Sequence, residues 1–126
     1  MEQRFPVRIY YEDTDCMGLV YHANYLKFLE RARTEYIAAA GTSVMHWADR
    51  GVMFPVYNIN ITFRAAARLG DRLVVVSDAA RTSQFRWNFK QRVEREGDGR
   101  GIVEASVDIV CTDLQGNLRE FPDIGG

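Results

Sequence analysis

Phe5, Val7, Ile9 and Tyr11 alternate with Pro6, Arg8 and Tyr10, the period-two pattern of a strand with one buried face. The period then lengthens. From Asn24 to about Ala40, the residues Tyr25, Phe28, Leu29, Ala32, Tyr36, Ile37 and Ala40 recur at spacings of three and four, which predicts a helix with one apolar stripe. Asn24 suits its N-cap and Gly41 its stop. Its length would be roughly 25 Å at 1.5 Å per residue. A short helix is expected within Thr42 to Arg50. After Gly51 the period returns to two: Tyr57, Ile59, Ile61 and Phe63, then Leu73 to Ala80, then Phe85 to Val93, then Val103 to Cys111, with a short last strand near Leu118 to Phe121. Gly70-Asp71, Glu96 to Gly99 and Gln115 to Asn117 mark the turns between them. Strands joined by short turns run antiparallel, and one long helix can cover one face of their sheet. The expectation is an α+β fold, with residues 1–126 forming a single domain.

Composition narrows the function classes. Apolar residues make up 47% of the 126, enough for a core, and the net charge of −1 predicts neither a nucleic-acid nor a membrane partner. No apolar run reaches the length of a bilayer span. The two cysteines, Cys16 and Cys111, cannot build a disulfide framework, and the chain opens Met-Glu-Gln-Arg directly into a strand pattern without a signal peptide. The expected setting is a reducing one, the cytoplasm.

The chemistry concentrates between Tyr11 and Tyr25, where Asp13, Asp15, Gly18 and His22 lie on a loop leading into the helix. Such a segment can attack a carbonyl. It offers a carboxylate as base or nucleophile, a histidine beside it, and unpaired N–H groups at a helix start to hold an oxyanion. A lone loop aspartate is usually a turn former, and turn or capping duty suits Asp13. Cys16 adjoins Asp15, but adjacency in sequence supplies no activating geometry, and a small packed side chain is the better reading. Asp13, Asp15, Cys16 and His22 follow no metal-ligand spacing, so no metal is expected.

The run Tyr11-Glu12-Asp13-Thr14-Asp15-Cys16-Met17-Gly18-Leu19-Val20-Tyr21-His22-Ala23-Asn24-Tyr25, with Leu26 to Arg33 after it, resembles the acyl-CoA thioesterases of the hotdog fold, in the Tol-Pal-associated and 4-hydroxybenzoyl-CoA thioesterase branch. That resemblance implies an antiparallel sheet wrapped around one long central helix, and hydrolysis of an acyl thioester, on coenzyme A or on an acyl carrier protein, without metal or redox cofactor. It aligns Asp15 with the catalytic carboxylate, as nucleophile or as general base. It matches His22 and Tyr11 to functional positions of the Tol-Pal-associated subgroup; the benzoyl-type relatives carry another residue at the first. It draws the oxyanion donors from the backbone near Gly18, Tyr21 and Ala23. Members are dimers or tetramers with sites between subunits, so Pro55, Val56 and Asn58 of a second chain would line the acyl pocket. Arg81, Arg86 and Lys90 are the cations expected near the coenzyme A phosphates. Three other readings stand beside it. A hotdog 3-hydroxyacyl-thioester dehydratase would place its acid or base on the central helix, whereas here the carboxylates precede it. A non-catalytic thioester binder would not need Asp15 and His22. A role as an interaction module of the envelope Tol-Pal apparatus is compatible with catalysis.

Overall fold

The computed structural model describes residues 1–124 as one five-stranded antiparallel sheet with a long helix laid across it. The strands are β1 (Gln3–Arg8), β2 (Val56–Phe63), β3 (Arg72–Ser83), β4 (Arg86–Arg95) and β5 (Gly101–Val110); the helices are α1 (Asn24–Ala39) and α2 (Val44–Asp49). Spatially the order is β1-β3-β4-β5-β2, which makes β4 the central strand and leaves β1 and β2 on the two edges. β3, β4 and β5 form a meander, with Gln84-Phe85 joining the first pair and a glycine-bearing turn the second. Gly97 and Gly99 at the β4–β5 turn sit at φ 101° and 69°, backbone that a side chain disfavours.

The apolar stripe of α1 meets the concave face of the sheet. Tyr25, Phe28, Leu29 and Ala32 pack with Ile9, Leu73, Val75, Val93 and Val103 in one cluster. Tyr36 and Ile37 pack with Phe89, Val107, Ile109, Cys111, Phe121 and Ile124 in a second. Between the clusters a row of small or polar side chains crosses the sheet in register: Gln3 opposite Ser77, Ser77 opposite Gln91, Gln91 opposite Ala105. Arg33 descends from α1 onto this row and is only 8% exposed.

Three expectations at element ends are corrected. β1 stops at Arg8, and Tyr11 opens a 3₁₀ turn (Tyr11–Asp13) instead of ending the strand; Asp13 Oδ2 accepts the Tyr10 N–H at 2.9 Å and curls the chain there. The N-cap of α1 is Ala23, while Asn24 is its first helical residue and donates its side-chain amide to the Asp13 carbonyl at 2.9 Å. No last strand forms near Leu118 to Phe121: a single bridge joins Leu118 to Thr112, and Phe121 is instead buried between the rings of Phe54 and Trp87. Gly41 follows the C-cap Ala40 as expected.

Candidate active site

The loop carrying Asp15 is a small self-bonded turn. Asp15 N–H donates to the Leu19 carbonyl at 2.8 Å and Gly18 N–H to the Asp15 carbonyl at 3.1 Å, with Gly18 at φ 76°. An added Cβ on Gly18 would meet nothing within 4 Å, so the turn itself explains the glycine. Asp15 Oδ1 accepts the N–H groups of Met17 (2.9 Å) and Leu19 (3.3 Å). Turn formation therefore engages one carboxylate oxygen, and among the described residues no group hydrogen-bonds the other. The loop is fastened to the segment after β2: Val20 N–H donates to the Ala67 carbonyl at 2.9 Å and Leu69 N–H to the Gly18 carbonyl at 3.1 Å. Arg95 braces that segment in turn, through Asp71 (3.3 Å) and the Ala66 carbonyl (2.9 Å), and Asp98 of the β4–β5 turn holds Arg95 itself at 3.0 Å. Asp13 serves its local turns, its carbonyl also accepting the Tyr21 N–H at 3.0 Å.

At the start of α1 the hydrogen-bond inventory narrows the oxyanion donors. Asn24 N–H donates to Tyr21, Tyr25 N–H to His22 and Leu26 N–H to Ala23 carbonyls, at 2.8, 3.3 and 3.2 Å. Gly18 and Tyr21 are also engaged, which takes their amides out of the set expected from sequence. The N–H groups of His22 and Ala23 have no partner among the described residues. They precede the first helical turn, on the positive end of the helix dipole.

A cavity of about 360 Å³ is lined by Asp15, His22, Tyr25, Phe63, Arg64 and neighbouring apolar residues. The His22 ring is exposed, lies 4.7 Å from the Tyr21 ring and 6.0 Å from that of Phe63, and its nitrogens make no hydrogen bond within the described residues. Tyr25 is buried; burial pushes its phenol above the ordinary value, and the Ala67 N–H that its oxygen accepts opposes that shift. Neither the Tyr25 nor the Phe63 side chain is a site candidate in the sequence. Tyr25 reads there as a core position of the helix stripe, and Phe63 as a strand residue.

The other expected site residues lie elsewhere in the protomer. Tyr11 is 81% exposed and does not line the cavity. Pro55, Val56 and Asn58 are at the opposite end of edge strand β2 from Phe63, and exposed. Arg81 is bound to the Ser83 and Gln84 carbonyls and to Glu120, and Arg86 lies 4.7 Å over the Tyr57 ring, both at the sheet end remote from Asp15. Lys90 lines a groove with Asp78 and Glu104 on the sheet face away from α1. Among the described residues no group of three or more His, Cys, Asp or Glu side chains could hold a metal ion, and no helix is long and apolar enough to cross a membrane.

A family model, the thioesterase-like superfamily, matches residues 10–124. The acyl-CoA thioesterase YbgC of Haemophilus influenzae is 40% identical over 111 residues, 87% of this chain and 80% of that protein. The acyl-CoA thioester hydrolase YbgC of Escherichia coli O6:H1 is 38% identical over 120 residues, 94% of this chain and 89% of that protein. The crystal structure of Slr0204, a 1,4-dihydroxy-2-naphthoyl-CoA thioesterase from Synechocystis, matches with a TM-score of 0.90 over 97% of this chain and 90% of that one; at 22% identity the likeness is one of fold.

Proposed function

The chain belongs to the thioesterase-like superfamily, and on that premise we propose that Asp15, His22 and the amides before α1 form its thioester-cleaving centre. The fold is the hotdog expected from the sequence, and the protein is an acyl-CoA thioesterase, hydrolysing an acyl thioester to a free acid and coenzyme A.

The observation that carries the assignment is the split use of the Asp15 carboxylate. Oδ1 holds the turn, so Oδ2 is positioned and unengaged on a cavity that His22 shares. In the general-base route, Oδ2 takes a proton from a water whose oxygen attacks the thioester carbonyl. In the nucleophilic route, Oδ2 itself forms the bond, and water later cleaves the mixed anhydride. Either way negative charge grows on the carbonyl oxygen, and the N–H groups of His22 and Ala23, without a partner among the described residues, are the donors assigned to it in this reading. Collapse then breaks the C–S bond, and the departing thiolate takes up a proton; the His22 ring is the group suited to orient water or supply that proton. A dehydratase reading is disfavoured because the inward stripe of α1 carries no carboxylate, and Glu30 and Glu35 are exposed. The chemistry draws on side chains and backbone alone.

The working unit is a homo-oligomer built on a dimer. β2 is a free edge eight residues long, with Val56, Tyr57 and Phe63 exposed. Two copies pairing antiparallel along β2 would bring Pro55, Val56 and Asn58 of one beside Phe63 and His22 of the other. Arg86, stacked on Tyr57, would then lie nearer the substrate than it does within its own chain, with Arg81 and Lys90 as further cations for coenzyme A phosphates. A single catalytic domain working in the cytoplasm completes the reading. Thiol release from a panel of aliphatic and aromatic acyl-CoAs tests it. Hydrolysis that survives Asp15→Asn at more than about a tenth of the original kcat would remove Asp15 from the centre, given the roughly 10²- to 10⁴-fold contribution of such groups.

A further inference from the structure

The row of polar residues in the middle of the core has no part in that chemistry. Arg33, Gln91 and Ser77 are 8%, 3% and 1% exposed. Arg33 Nη1 donates to Gln91 Oε1 at 3.1 Å; Gln91 Nε2 donates to the Leu29 carbonyl at 3.0 Å and to Ser77 Oγ at 2.9 Å. No carboxylate pairs with Arg33 among the described residues, and burial lowers the proton affinity of its guanidinium against the opposing charge of Glu30. A buried cation with a neutral partner is a poor source of stability; apolar residues of similar volume generally serve a core as well or better.

What such a layer supplies is registration. The apolar clusters on either side of it grip α1 without direction, because burial of apolar area changes little when a helix slides by a fraction of a residue. Hydrogen bonds tolerate only a few tenths of an ångström. The Gln91 amide ties a carbonyl in the middle of α1 to the central strand of the sheet, and Ser77 and Arg33 hold that amide in one orientation. Ser77 and Ala105, its cross-strand neighbours, are small enough to leave room for the guanidinium. At the other end of the lever, the first turn of α1 is weakly self-supported: its bonds from Tyr25 and Leu26 are 3.3 and 3.2 Å long, and no side chain caps it.

We propose that Arg33, Gln91 and Ser77 are positioning residues: they fix the axial placement of α1 on the sheet, and with it the distance from the His22 and Ala23 amides to Asp15. Arg33 lies nine residues beyond Asn24, roughly 13 Å at 1.5 Å per residue, so the effect on chemistry is transmitted by the helix as a rigid rod. The inference rests on the reading of those amides as oxyanion donors.

The test replaces the layer as a unit. Arg33→Met/Gln91→Leu/Ser77→Ala should fold with a melting temperature at or above that of the parent, because no buried polar group is left without a partner. Its kcat should fall about 10- to 100-fold, the scale of a misplacement near 1 Å, with KM within about twofold, and hydrogen exchange at the bonded amides of residues 24–26 should accelerate. Gln91→Glu is the companion. It keeps an acceptor for Arg33 but turns the donor toward Leu29 and Ser77 into an oxygen, and kcat should fall without loss of fold. A stable triple variant with parental kcat and parental exchange overturns the proposal; if the triple variant fails to fold, parental kcat in Gln91→Glu does so. Faster exchange at residues 24–26 together with unchanged kcat would uphold the positioning role of the layer and overturn the oxyanion reading on which its effect on kcat rests.

Discussion

The two halves of the core, on either side of the Arg33 layer, are built differently. The half under the Asp15 loop is chiefly aliphatic, with Leu29, Leu73, Val75, Val93, Ile102 and Val103 around Tyr25 and Phe28. Its covering loops are joined by backbone hydrogen bonds, so their side chains are left to other uses. The half under the C-terminal tail is aromatic. Phe54, Phe121 and Trp87 form a stack with both ring spacings at 5.6 Å, Trp47 meets Phe54 at 6.2 Å, and Tyr36 packs edge-on to Phe89. Its polar atoms are either tied, as where the Tyr36 hydroxyl donates to the Met1 carbonyl and accepts from Ala79 N–H, or buried without a partner among the described residues, as are the indole N–H groups of Trp47 and Trp87. One half thus leaves a carboxylate oxygen, an imidazole and two amides without a hydrogen-bond partner among the described residues. The other buries the Tyr36 hydroxyl and the two indole N–H groups within its aromatic packing. With the thioester-cleaving centre proposed at Asp15, chemistry and cohesion are divided between the ends of one helix.

The sharpest way to break that division is Asp15→Asn. Asparagine keeps an Oδ1 able to accept from Met17 and Leu19, so the turn and the melting temperature should hold while kcat falls by about 10²- to 10⁴-fold. Thiol-release kinetics alongside a melting curve measure both. A large drop in stability would mean that the carboxylate serves mainly the loop.

Phe89→Ala is the mirror experiment. Phe89 is fully buried among Tyr36, Trp87 and the tail half of the core, and its removal should cost about 3–5 kcal/mol of unfolding free energy. Denaturant titration gives that figure. At temperatures where the variant is folded, kcat should remain close to the parent's. A kcat that falls in proportion to the lost stability would show that the two halves act as one.

His22→Ala follows in size. The imidazole is exposed and makes no hydrogen bond within the described residues, so stability should barely change. Its loss should lower kcat at or below the lower end of general acid–base effects, roughly 10²-fold, and raise KM much less, because a group at the reacting carbonyl acts on the transition state. The backbone amide survives the substitution, which isolates the ring from the oxyanion donor. An unchanged kcat would take the imidazole out of the mechanism.

How far these halves were legible in the sequence depends on the range of the interactions that form them. Periodicity gave α1, β4 and β5 because alternation and the helical stripe are local consequences of burial. Tyr11 continued the alternation of β1 on paper, but the Asp13 side chain three residues on captured the Tyr10 amide and turned the chain. Leu118 to Phe121 read as a strand, yet Phe121 is held by rings from Phe54 and Trp87, distant in sequence. The edge position of β2 is likewise a property of the assembled sheet. The availability of the His22 and Ala23 amides depended on which neighbouring carbonyls were already taken. One sign of the mid-core layer was present: Arg33 interrupts an apolar stripe that continues at Tyr36 and Ile37, and a cation on the buried face of a helix calls for a partner.

The smallest effects are expected from the cysteines, one on each side of the division. Cys16 sits beside Asp15 but is exposed, does not line the cavity, and makes no hydrogen bond among the described residues. Cys111 is buried in the tail half, where burial pushes its thiol above the ordinary value. A thiolate, not a thiol, is the reactive form, so Cys111 should resist iodoacetamide in the native protein while Cys16 is alkylated. Cys16→Ser should leave kcat within about twofold of the parent, since the hydrolytic reading gives that sulfur no bond to make. The alternative is a cysteine nucleophile whose acyl-enzyme is later hydrolysed, and it leaves a distinct trace. The serine variant would lose turnover without losing stability, and rapid quenching of the parent with acyl-CoA would reveal an acyl adduct on Cys16 by mass spectrometry. That pair of results would transfer the chemistry from Asp15 to its neighbour. Full activity of Cys16→Ser, together with loss of activity in Asp15→Asn, assigns it to the carboxylate.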